Sequence, residues 1–148
     1  MIVIKNTQRS YHIDAPKLKK QVAIVLNAIG YPEYDLTLWF TTNATIRRYN
    51  RQFRGKDKET DVISFPYYET TTPGLLPKHS SEEPILGDIM LSPAYVVQHE
   101  HTWQETFEER ILLLIVHSIC HLVGYDHETD ADDMRMQTEE QRLLRLLR

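Results

Sequence analysis

The sequence has 148 residues, 41% of them hydrophobic and 26% charged, with one cysteine and a formal net charge of −4. That is the size and composition of one ordinary globular domain, and it excludes wholesale disorder, a fibrous repeat and a disulfide scaffold. A negative total, taken as evenly spread, also argues against a nucleic-acid partner.

In chain order, residues 2–4 predict a short strand. Residues 1–10 hold no signal-peptide core, so the expectation is a soluble protein, and the lone thiol Cys120 fits a reducing, cytoplasmic compartment. Asp14 reads as an N-cap, with Pro16 in the first turn of a helix that Gly30 stops. Leu18, Val22, Val25, Leu26 and Ile29 share one face of that helix. Leu36, Leu38 and Phe40 alternate, which predicts a strand over Asp35 to Thr41. Asn43 is the expected cap of a second helix ending at Gly55, with Ile46, Tyr49 and Phe53 as its buried side. Asp61 to Tyr67 and Leu86 to Leu91 are two further strands, separated by a long loop from Glu69 to Pro84. Ser92 and Pro93 open a helix. A longer one covers Thr106 to Val123, with Thr106 and Glu109 spaced as a capping box and Gly124 as its stop. The last helix starts near Ala131 behind Asp130, with Met136, Leu143, Leu144 and Leu147 on one side. Its acidic residues read as a solvated face.

The strands do not alternate strictly with helices, and the helices gather late. The predicted class is α+β: one domain over residues 1–148, with a small mixed sheet of about four strands packed by about five helices. The apolar run from Ile111 to Val123 would form a helix of about 20 Å, short of the roughly 30 Å hydrocarbon core, so no membrane span is expected.

Three of the seven histidines fall in the window from His117 to His127. His117 and His121 lie on one helical face, separated by roughly 40° of rotation. Two imidazoles so placed can reach one ion, and a glycine turn at Gly124 lets the chain fold back to present His127 as a third ligand. Three neutral nitrogens favour one Zn²⁺, with Ni²⁺ or another divalent ion as alternatives. Cys120 points about 100° away on the helix and reads as a small core residue. With three protein ligands, the fourth position suits a water whose pKa metal binding pulls toward neutrality. The spacing matches the zincin helix His-Glu-x-x-His, but Ser118 stands where that motif has its carboxylate base. This turns the reading away from peptide hydrolysis.

The segment Arg47 to Lys58 holds six cations and one carboxylate. Arg47, Arg51 and Arg54 recur at helical spacing with Lys56 just beyond, a pattern suited to phosphate contacts. The charge total therefore hides two opposed halves. Residues 1–60 carry 11 basic and 5 acidic side chains, and residues 61–148 carry 6 and 16. Asp126, beside His127, reads equally as a group orienting a ligand ring or as turn chemistry.

Three segments together resemble the YbeY family of single-strand-specific endoribonucleases. They are Phe53-Arg-Gly-Lys-Asp-Lys-Glu-Thr-Asp-Val-Ile-Ser-Phe-Pro66, Leu86-Gly-Asp-Ile-Met-Leu-Ser-Pro93 and His117-Ser-Ile-Cys-His-Leu-Val-Gly-Tyr-Asp-His127. The third is similar to the family's H-G-x-L-H-L-x-G-Y-D-H, with Ser118 in place of glycine and Cys120 in place of leucine. The resemblance implies zinc held by His117, His121 and His127, and cleavage that depends on Arg54, His117 and His121. It also implies action in maturation of the 3′ end of 16S ribosomal RNA and in disposal of defective ribosomes. The implied partners are single-stranded ribosomal RNA precursor and the small subunit or its proteins, with neither DNA nor membrane. On the residues alone, a metal-dependent peptidase and a non-catalytic ribosome-assembly factor with a structural metal stay open as alternatives.

Overall fold

The computed structural model describes residues 1–99 and 104–148. Its elements, in chain order, are β1 (Ile2–Asn6), α1 (Ala15–Ala28), β2 (Asp35–Phe40), α2 (Asn43–Arg54), β3 (Val62–Pro66), β4 (Ile85–Leu91), α3 (Pro93–Gln98), α4 (Phe107–Leu122) and α5 (Asp130–Arg145). A short 3₁₀ turn, Lys78–Glu82, interrupts the long loop between β3 and β4. The class is α+β, as expected. Among the described residues no helix is long and apolar enough to cross a membrane.

The strands form one mixed sheet in the order β1-β2-β4-β3. β1 runs parallel to β2, β2 parallel to β4, and β3 antiparallel to β4. β3 is therefore an edge strand, and its outer side is available to whatever lies beside it. Successive side chains of a strand point to opposite faces. On β2, Leu36, Leu38 and Phe40 enter the main core with Leu18, Val22, Val25 and Leu26 of α1 and Ile115, Ile119 and Leu122 of α4. Each such fully buried aliphatic side chain contributes about 1.5–3 kcal/mol, so α4 is held firmly against the sheet. The opposite face carries a smaller cluster of Ile46 from α2, Ile63 from β3 and Met90 from β4.

Helix termini depart from expectation in two places. Thr42, not Asn43, caps α2 by accepting from the Thr45 amide, and Thr129, not Asp130, caps α5 by accepting from the Asp132 amide. Asn43 is instead engaged across the fold, accepting from the Ser92 hydroxyl at 2.7 Å and donating to Gln98 at 3.1 Å. Asp14 caps α1 and Thr106 caps α4 as the sequence predicts. The buried side of α2 also differs. Ile46 is buried, but Phe53 is 57% exposed, and Asn50 takes the inward place. Asn50 Nδ2 donates to the Lys58 carbonyl at 2.9 Å, tying the loop after Gly55 to the helix as it leads into β3.

Candidate metal centre

The three histidines converge. His117 and His121 stand one turn apart near the C-terminal end of α4, with rings nearly perpendicular and centroids 4.6 Å apart. The His127 ring lies 5.3 Å from His121 and 6.2 Å from His117. One ligating nitrogen from each residue fits within 4.8 Å of the other two.

The turn that returns His127 is built at Gly124, where φ is +99°. The Gly124 amide donates to the His121 carbonyl and the Tyr125 amide to the Cys120 carbonyl, both at 3.0 Å. This pair of bonds is a Schellman closure, which needs a left-handed residue at that position. Space demands glycine as well, because a Cβ at Gly124 would lie 1.7 Å from Thr70 Oγ1. The same closure aims the Tyr125 carbonyl at His121.

Each ring on α4 is oriented through its other nitrogen. His121 Nδ1 donates to the Tyr125 carbonyl at 2.9 Å. His117 Nδ1 donates to Glu140 Oε1 at 2.7 Å. In the neutral tautomers with both Nδ1 atoms donating, the two Nε2 lone pairs face each other, 3.1 Å apart. Two facing lone pairs repel unless a cation lies between them. Nitrogens bound tetrahedrally at about 2.0–2.1 Å would sit roughly 3.3 Å apart, so the pair suits a divalent ion with little movement. Burial first, and the neighbouring His117 second, hold the His121 imidazole below its ordinary pKa, which favours the neutral ligand form. Cys120 is wholly buried in the main core, as expected, and burial pushes its thiol up.

Glu140 is the residue that sequence reasoning missed. It lies on α5, whose acidic residues the sequence predicts as a solvated face. In fact the stripe of Met136, Glu140, Leu143 and Leu144 turns toward α4, and the Glu140 side chain is only 18% exposed. A carboxylate on an apolar stripe is the signal that could have revealed it. Asp126 is turn chemistry: its Oδ1 accepts from the Glu128 amide at 3.3 Å. Ser118 is buried, and its Oγ has no hydrogen-bond partner among the described residues.

The histidines line a cleft of about 730 Å³ that also includes Arg54. The Val62, Ser64 and Pro66 side of β3 forms part of its wall, with Tyr68 and Thr70 from the following loop. Asp61 lies in this wall too, its Oδ1 accepting from the Val62 amide at 2.7 Å. Arg54 ends α2 just before the Gly55 cap, exposed and in no ion pair among the described residues. Of the four cations singled out in the sequence, only Arg54 reaches this cleft. Arg47 is paired with Asp57 at 3.0 Å, and Arg51 and Lys56 are exposed outside the cleft wall.

Comparison with known proteins places this geometry. A family model described as Endoribonuclease YbeY matches residues 3–148. The chain is 36% identical over 144 residues to Endoribonuclease YbeY of Alkaliphilus metalliredigens, covering 93% of this chain and 90% of that one. It is 34% identical over 148 residues to the Geobacter metallireducens protein of the same name, covering 99% and 95%. To the human one it is 31% identical over 144 residues, covering 97% and 86%. Among solved structures, the solution structure of TM1509 from Thermotoga maritima superimposes with a TM-score of 0.64 at 25% identity, covering 99% of this chain and 88% of that one. The chain belongs to the YbeY family of endoribonucleases.

Proposed function

We propose that residues 1–148 act as one catalytic domain that hydrolyses single-stranded RNA with one divalent ion, zinc first, held by His117, His121 and His127. The observation that carries this reading is the single cleft shared by the three histidines and Arg54, which is in no ion pair among the described residues. A bound divalent ion supplies Lewis-acid chemistry for hydrolysis of the phosphodiester. Glu140 and the Tyr125 carbonyl hold the two α4 rings in their ligating tautomer. Arg54 presents an exposed guanidinium to the phosphate, where it neutralises charge that grows on the non-bridging oxygens.

The cleft volume falls within the roughly 300–1,000 Å³ of pockets that enclose one drug-sized molecule, which suits a nucleotide or two of one strand rather than a paired helix. The family resemblance supports ribosomal RNA precursor as substrate, at the 3′ end of the 16S species, with a role in ribosome quality control. It supports the small subunit or its proteins as partner and a cytoplasmic location. Peptide hydrolysis lacks support, because the position of the zincin carboxylate is Ser118, buried away from solvent.

The test is cleavage of one RNA sequence, offered single-stranded and as a duplex, by wild type and Arg54→Glu. Wild type should cut only the single strand. Arg54→Glu should keep its circular dichroism spectrum and lose at least about a hundredfold in rate. Equal rates for the two proteins would contradict the role of Arg54.

A further inference from the structure

The second face of the sheet is only half covered. α2 lies over Ile63 and Met90. Beyond it the register sets Phe65 beside Asp88 and Lys5 beside Trp39, and these residues remain partly or fully exposed. With Tyr49 and Phe53 of α2 they line a groove of about 380 Å³.

Four aromatic rings run through this groove in series. Trp39 meets Tyr49 edge to face at 5.4 Å, Tyr49 stacks with Phe53 at 5.8 Å, and Phe53 meets Phe65 edge to face at 5.4 Å. Cations flank the series: Lys5 Nζ lies 4.2 Å from the Trp39 ring centroid, and the Arg48 guanidinium 5.7 Å from that of Tyr49. Exposed aromatics with interleaved cations are what sequence-tolerant binders of single strands use, since every base offers a π-face.

The shelf and the histidine cleft lie on opposite faces of β3 and adjoin at its edge. Phe53 and Arg54 are consecutive on the last turn of α2, one lining the shelf and the other the cleft. On β3, Phe65 lines the shelf, while Ser64 and Pro66 on either side of it line the cleft. A strand held past Arg54 therefore needs to cross only the edge of β3 to reach the rings. The carboxylate in the groove, Asp88, repels phosphate but accepts hydrogen bonds from base amino groups. The shelf thus suits bases, with the phosphates left outside near Lys5 and Arg48.

We propose that this shelf is a base-stacking subsite for one or two nucleotides of single-stranded RNA that flank the segment held in the histidine cleft. The inference rests on the RNA reading given above. It predicts that Phe53→Ala, which removes an exposed side chain, raises KM for a single-stranded oligonucleotide about tenfold, with the larger part of the loss in KM rather than kcat. An oligonucleotide with abasic flanking nucleotides should be bound equally by the two proteins. In a Trp103→Phe background, which leaves Trp39 as the one tryptophan, RNA binding should quench the emission. Wild-type cleavage with an unchanged KM in Phe53→Ala, or unchanged Trp39 emission, overturns the shelf alone and leaves this surface to a protein partner. Wild type that neither binds nor cuts RNA overturns the RNA reading, and the shelf with it.

Discussion

His117 Nδ1 donates to Glu140 Oε1 at 2.7 Å, joining α4 to α5 at the face where the histidines meet. The bond does two things at once. It fixes the tautomer that leaves Nε2 free to ligate, and it sets the orientation of the ring from its far side. Glu140→Ala should therefore lower metal affinity by about 10–100-fold, read by competition with a chromogenic chelator. Glu140→Gln should recover part of that loss, because the amide oxygen still accepts from Nδ1. Identical affinities in all three proteins would show that the ring is held by other contacts.

Gly124 sets the path of the third ligand. Gly124→Ala places a Cβ against Thr70 Oγ1 on a backbone at φ +99°. The strain should destabilise the fold by at least about 2 kcal/mol, measured by urea denaturation, and weaken metal binding by displacing His127. Thr70→Ala in the same chain should restore only part of the stability, since the left-handed backbone remains.

The histidine triad was legible because its determinants are local. Spacing at i and i+4 fixes two rings on one helix face, and a glycine next to the helix end announces the turn that returns the third. Glu140 was not legible in the same way. It is 23 residues from His117, and which face of α5 turns inward depends on how the two helices pack. Phe53 failed for a related reason. Helical periodicity places it with Ile46 and Tyr49, but α2 covers only half of its sheet face, so the last turn overhangs the open shelf. The capping errors have a simpler cause: Thr42 and Asn43, like Thr129 and Asp130, are adjacent cap-forming residues. Which of them caps α2 depends on whether Ser92 and Gln98, far away in sequence, claim the Asn43 side chain.

Ser118 stands where the resembled motif has glycine, and its hydroxyl is buried with no partner among the described residues. A buried unsatisfied hydroxyl costs stability, and alanine is the better helix former. Ser118→Ala should raise stability by about 1 kcal/mol, seen as a higher denaturation midpoint, with cleavage unchanged. A loss of stability would mean that the hydroxyl has a partner in solution.

On the proposed function, the three histidines hold the ion on which cleavage depends. The most direct measurement takes metal content and single-stranded RNA cleavage from the same preparation of His121→Ala, beside wild type. Metal stoichiometry and cleavage should fall together while the chain stays folded. A His121→Ala protein that keeps full metal and full cleavage would show that His121 neither holds the ion nor supports cleavage.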